Sequence, residues 1–126
     1  MIVKYKKDLM GGPFHRQVDA GSSLRMLTRA DGVGFTLTDT VVEAGREAVL
    51  HYKNHIEANY VLEGEGTLED LATGKTYDMR PGMMYTLDKH DRHKLKAKSR
   101  LRIICVFTPA LVGTEVHDKD GSYPLL

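Results

Sequence analysis

The chain has 126 residues, and 18 Lys+Arg against 17 Asp+Glu leave a formal net charge of +1. That balance excludes nucleic-acid binding by bulk electrostatics and the strongly acidic surface of a protein built for molar salt. With 41% hydrophobic and 28% charged residues, the composition is globular, and the length predicts one domain over residues 1–126 whose core needs no staples. A single cysteine, Cys105, makes no internal disulfide and points to a reducing compartment. It stands in an apolar strand pattern, as a buried thiol does. The opening MIVKYKKDLM carries no apolar run of signal-peptide type, and no segment is apolar enough to span a bilayer. The expectation is a cytoplasmic protein without membrane or nucleic-acid partners.

In chain order, Gly11-Gly12-Pro13 reads as a loop that sets an N-terminal arm apart from the body, and residues 22–30 suit either one helical turn or a strand. From residue 34 the pattern is short and β-like. Strands are predicted over 34–42, 48–52, 57–62, 67–71, 75–79, 84–87, 93–97 and 100–107, with Ala72-Thr73-Gly74 as a hairpin turn. Glycines at 45, 64, 66, 74 and 82 punctuate these runs. The alternating cations Lys94, Lys96, Lys98, Arg100 and Arg102 mark a solvated strand face, with no interleaved aromatics to suit nucleic acid. Residues 109–126 are polar, with two prolines and two glycines, and read as a loop or lid. No window carries a helical period, so the fold class is all-β, a sandwich or barrel.

Six histidines, at 15, 51, 55, 90, 93 and 117, include several close to glutamate or tyrosine, the usual ingredients of a transition-metal site. Their spacing resembles the cupin pattern. Gly45, His51, Glu57 and Gly64 stand in the register of its first motif, with Lys53 at the second histidine position. Gly82 and His93 keep the register of the second motif, with Asp88, His90 and Ala97 at its proline, glycine and asparagine positions. The resemblance implies a double-stranded β-helix, a jelly-roll barrel open at one end, with a flexible N-terminal arm and a C-terminal lid. Lys53, protonated at neutral pH, is a poor ligand, and Tyr85 could supply an oxygen in its place.

A closer resemblance covers nearly the whole chain. The segments GFTLTDT (34–40), HYKNHIEANYVLEGEG (51–66), DLATGKTYDMRPGMMYTLDKHDRH (70–93), CVFTPALVG (105–113) and TEVHDKDGSYP (114–124) resemble the ectoine synthase family. This implies a dimeric, iron-dependent, cytoplasmic hydro-lyase that closes N-γ-acetyl-diaminobutyrate into the cyclic amidine ectoine, an osmoprotectant. Iron(II) is the implied cofactor, with another divalent metal as the alternative, and a small acetylated diamino acid is the implied partner. On this resemblance the metal ligands fall on Glu57, Tyr85 and His93. Substrate contacts fall on Arg25, Thr40, Tyr52, Phe107, Glu115 and His117, of which Tyr52, Glu115 and His117 are the candidate proton carriers.

The chemistry of those residue types is coherent. A guanidinium forks onto a carboxylate, Phe107 offers an apolar wall, hydroxyls of Tyr52 and Thr40 serve polar atoms, and Glu115 is the candidate base. Glu115 and His117 reach one centre only if the tail folds over the barrel mouth. Two departures fall on the substrate side. Where the family usually has a tryptophan before its arginine, this chain reads Ala20-Gly21-Ser22-Ser23-Leu24-Arg25, and Thr38 stands before Asp39-Thr40 in place of a histidine or polar side chain. They keep open a second reading, a diverged cupin that binds or converts a related small amide or amino-acid derivative. His51 reads as structural, and His15, His55 and His90 as arm, solvent or turn residues.

Overall fold

The structure is a computed structural model that describes residues 1–126. It holds ten strands in two antiparallel sheets. The larger sheet runs in the order β1 (His15–Val18), β2 (Gly21–Arg25), β3 (Thr36–Val42), β10 (Leu101–Thr108), β5 (Ile56–Glu63), β8 (Met84–Leu87). The smaller runs β4 (Glu47–Leu50), β9 (His93–Ala97), β6 (Gly66–Asp70), β7 (Thr76–Met79). The eight strands read from residues 34 to 107 form close to their predicted bounds. Their alternation sends one set of side chains inward: Leu101, Ile103, Cys105 and Phe107 from β10, Glu57, Asn59 and Val61 from β5, His93, Leu95 and Ala97 from β9. A core of 17 buried side chains fills the space between the sheets. No helix is long and apolar enough to cross a membrane.

The N-terminal third differs from its reading as an arm. The short helix α1 (Lys6–Leu9) is followed by β1 and β2, which pair in register and extend the larger sheet through Ser23↔Thr40 and Arg25↔Thr38. Residues 22–25 are therefore strand, and Arg29–Asp31 form a single 3-10 turn closed by a capping box between Thr28 and Asp31. What fastens the segment is charge. Arg102 donates to both oxygens of Asp39 at 3.1 and 2.8 Å, and Lys6 of α1 reaches the same carboxylate at 3.2 Å. Lys4 donates to Asp31 at 2.7 Å.

Burial alone would raise the Asp39 carboxyl, but the hydrogen bonds from Arg102 and Lys6 outweigh it and hold it below the ordinary value of 3.8. A carboxyl lowered on folding contributes stability that is present above its unfolded-state value and is lost as pH falls through the folded-state value. Asp39→Asn is expected to lower the unfolding free energy by about 1–3 kcal/mol at neutral pH and to flatten the acid limb below pH about 4. Denaturant titrations at pH 7 and pH 3 check this: an equal loss at both pH values would remove the ion pair as the cause.

Candidate active site

The site forms at the end of the barrel where β5 and β9 begin and β8 and β10 finish. Register places Glu57 between Phe107 on one side and Leu87 on the other, with Tyr85 beside Asn59 two pairs further in. On the smaller sheet His93 lies between Leu50 and Asp70. The ring of Tyr52, just past β4, occupies the centre of this end. Its centroid is 5.1 Å from Phe107, 5.1 Å from Tyr123, 5.7 Å from His117 and 6.3 Å from His93. A small cavity of about 40 Å³ remains among them, lined by Thr40, Tyr52, Glu57, Tyr85, Phe107 and His117 with other inward side chains. It has room for roughly three waters.

The three residues implied as metal ligands, Glu57, Tyr85 and His93, are all buried. His93 contacts the Asp91 carbonyl through Nδ1 at 2.9 Å, while its buried Nε2 has no hydrogen-bond partner. A backbone carbonyl on Nδ1 assigns the proton to that nitrogen and leaves Nε2 as a lone-pair donor, the arrangement of a ligating histidine. Burial lowers the His93 value further below that of a free imidazole. Glu57 is buried without an ion pair, and burial pushes its carboxyl up to about 8, partly offset by Asn59 and Cys105. Tyr85 is raised well above the ordinary phenol value, by burial and by the Glu57 charge. A dication among them would reverse each of these costs, so the residues fit a divalent metal. No three His, Cys, Asp or Glu side chains cluster closely enough to hold an ion; the set depends on the tyrosine.

The C-terminal segment after Thr108 has no helix or strand, yet it is folded down on this end. Leu111 N donates to Thr36 Oγ1 at 2.8 Å, His51 N to the Gly121 carbonyl at 2.9 Å, and Lys53 N to Ser122 Oγ at 3.1 Å. Gly121 makes the approach: its φ is +73°, and a Cβ there would stand 2.3 Å from the Val49 carbonyl. His117 Nε2 and the Tyr52 hydroxyl are 2.8 Å apart, and Tyr123 stacks on His117 at 4.5 Å and 6°. Burial lowers His117 to about 4 and lifts Tyr52 well above the ordinary phenol value, so both are neutral at pH 7. His117 Nδ1 lies 3.9 Å from Asp19. That carboxylate favours the proton on Nδ1, so Tyr52 O–H donates to Nε2.

Two sequence assignments meet a different geometry. Arg25 is 1% exposed and lies beneath the C-terminal segment rather than on the cavity wall. It donates to Ser23 Oγ at 2.9 Å, the Gly113 carbonyl at 3.1 Å and the Tyr123 hydroxyl at 3.0 Å. Glu115 does not line the cavity either: its two oxygens accept from the amides of Val112 and Gly113, both at 2.8 Å. With both oxygens so engaged, the carboxylate clamps the turn that presents Gly113 O to Arg25. Thr40 shares a hydrogen bond with Thr38 at 2.8 Å and faces the cavity, as does Phe107. Tyr123 escaped the sequence reading, although it touches Arg25, Tyr52, Phe107 and His117 together. His90, read as a turn residue, has a positive φ of 53° and contacts the Tyr52 carbonyl through Nδ1 at 2.9 Å.

Comparison with known proteins places this geometry among relatives. The family model described as "Ectoine synthase" matches residues 1–126. An L-ectoine synthase of Oceanobacillus iheyensis is 50% identical over 126 residues, covering 100% of this chain and 98% of its own. One of Virgibacillus pantothenticus is 48% identical over 126 residues, again with 100% of this chain and 98% of its own covered. The crystal structure of an ectoine synthase from P. lautus superposes with a TM-score of 0.89 at 48% identity, covering 100% of this chain and 91% of that one. A polyketide cyclase, RemF from Streptomyces resistomycificus, shares the fold alone: TM-score 0.71 and 19% identity, over 86% of this chain and 79% of its own.

Proposed function

Because the chain belongs to the ectoine synthase family of ectoine biosynthesis, we propose that it is a hydro-lyase that cyclises N-γ-acetyl-L-2,4-diaminobutyrate to ectoine with loss of water. The observation that carries the metal-assisted form of this reading is the lone, buried Nε2 of His93, on the same barrel end as an uncompensated Glu57 and the phenol of Tyr85. Those three would hold iron(II) or another divalent ion. When bound, it supplies Lewis acidity toward the acetamide oxygen.

The chain's own residues account for the rest of the reaction. The substrate's free amine attacks its own acetyl carbon, a C–N bond forms, and the former amide oxygen departs as water. An open-chain amide must bend back on itself for this, and a narrow pocket walled by Phe107 and Tyr52 selects the bent form. Arg25 keeps N–H donors beyond its three protein bonds, and a substrate carboxylate would reach them once the C-terminal segment lifts. The amine must lose protons and the oxygen must gain them. Tyr52 and His117, joined at 2.8 Å, form a neutral pair that can pass a proton between the cavity and the Asp19 side. Thr40 offers a hydroxyl to the polar atoms of the bent chain. Closure by residues 109–126 excludes bulk water, which favours dehydration.

The cavity at about 40 Å³ is far smaller than the substrate, so the C-terminal segment must lift to admit it. The same reading extends to a cytoplasmic homodimer, for which the exposed Ile56, Tyr60, Leu62 and Met84 on the outer face of the larger sheet offer an apolar surface. The alternative, an enzyme or binding protein for a related amide, is favoured by the absence of the family's usual tryptophan before Arg25.

Purified protein loaded with iron(II) is expected to convert N-γ-acetyl-diaminobutyrate to ectoine, followed by chromatography, and to lose turnover on chelation and regain it on readdition. Binding without product, in protein shown by elemental analysis to carry metal, would transfer the case to the alternative.

A further inference from the structure

The cyclisation sets a proton balance that the cavity must meet. The substrate amine enters as an ammonium and ends as one N–H of a charged amidinium, so it sheds two protons. The departing oxygen gains two and leaves as water, while a C–N bond forms and a C–O bond breaks. No proton is exchanged with solvent overall, but each must be held between its release and its return. His117 is the base placed to hold it. Its Nε2 lies 2.8 Å from the Tyr52 hydroxyl, and both side chains line the cavity. When Tyr52 accepts a proton from the ammonium and passes its own to Nε2, His117 becomes an imidazolium. That buried cation needs a partner.

We propose that Asp19, at the tip of the β1–β2 hairpin, is the countercharge that lets His117 hold a proton during turnover, a positioning residue acting through the imidazole. The inference rests on the cyclisation reading above. His117 Nδ1 is buried and has no hydrogen-bond partner, and an Asp19 oxygen stands 3.9 Å from it. Tyr52 occupies Nε2 and Tyr123 stacks on the ring, which holds Nδ1 toward the hairpin. Asp19 also lines the cavity. The other groups around the imidazole cannot do its task. Arg25 and His93 oppose a positive charge there. Tyr52 and Tyr123 are neutral phenols, both raised by burial. Asp118 is already engaged, its Oδ1 accepting from the amides of Asp120 at 2.9 Å and Ser122 at 3.1 Å. The hairpin tip is built to stay in place. Val18 pairs with Gly21, so Asp19 and Ala20 alone make the turn. Ala20 takes a φ of +65°, a left-handed conformation that its Cβ disfavours. Its carbonyl accepts from the Glu43 amide at 2.9 Å and its side chain packs on the core.

The test is a mutant cycle with a spectroscopic arm. Asp19→Asn is expected to lower kcat by about 10–10²-fold and to leave KM within about twofold of the parent. Asp19→Glu, which keeps the charge, is expected to recover most of the loss. In a His117→Asn background, Asp19→Asn is expected to change kcat by less than about twofold, as a residue that acts only through the imidazole must. Nitrogen NMR of histidine-labelled protein, loaded with diamagnetic zinc(II), is expected to show the His117 proton on Nδ1 in the parent. In Asp19→Asn it should spread over both ring nitrogens. Parental kcat in Asp19→Asn, a loss confined to KM, an equal loss without His117, or an unmoved ring proton would each overturn the assignment. A metal-loaded parent that makes no ectoine would overturn the cyclisation reading and this assignment with it. Circular dichroism checks folding, and Asp19→Ser takes the place of Asp19→Asn if that variant does not fold.

Discussion

His93→Ala is expected to yield a folded barrel that retains no stoichiometric metal and turns over at least about 10³-fold more slowly than the parent, the scale of a lost Lewis acid worth several kcal/mol. The size follows from the position. His93 Nε2 is a buried imidazole nitrogen without a hydrogen-bond partner whose Nδ1 already contacts the Asp91 carbonyl, which leaves Nε2 free to donate a lone pair. The remaining Glu57 and Tyr85 both resist ionisation, so neither compensates by binding more strongly. Truncation also opens a cavity beside Leu50 and Leu95, with a stability cost of about 2–4 kcal/mol that circular dichroism melts would record. Elemental analysis and the turnover assay decide the matter together. Full metal content in His93→Ala, or normal turnover without metal, would refute the assigned centre.

Arg25→Ala is expected to release the C-terminal segment, at a cost of about 3–5 kcal/mol, because it strands the groups a buried charge was satisfying. The guanidinium is the common anchor of Ser23, Gly113 and Tyr123, which lie on β2 and at two distant points of the segment. It also lies with its Cζ 5.2 Å from the Tyr123 ring centre. Arg25→Lys is expected to rescue little, since a single ammonium cannot reproduce three bonds from a planar fork. Limited proteolysis is the direct readout, with cleavage appearing between residues 110 and 123 in the variant and absent from the parent. An uncut segment in Arg25→Ala would mean that Thr36, Lys53 and Asn54 suffice to hold it.

Much of the barrel was legible because β-branched and aromatic residues alternate from residue 34 onward and glycines mark the turns. Glu57 and His93 were legible through the spacing of histidine and carboxylate to those glycines. β2 was not, for a physical reason: its inward residues are Ser23 and Arg25, which serve the site rather than the core, so the hydrophobic alternation that identifies a strand is missing. Tyr123 was hidden differently. It stacks on His117 from six residues away in an irregular stretch, and no periodicity links the two. Glu115 has a local structural task that the sequence does not announce. A carboxylate near a histidine suggests acid–base chemistry, but two and three residues back lie amides it caps locally, a task no spacing rule reveals.

The folded-down C-terminal segment also sets a kinetic limit. Because the closed segment covers the cavity, only an open fraction of molecules can bind, and the apparent dissociation constant exceeds the intrinsic one by the inverse of that fraction. At high substrate, the observed association rate should level off at the frequency with which the stack of Tyr123 on His117 breaks, a ceiling set by the protein's own breathing and indifferent to how well the substrate fits.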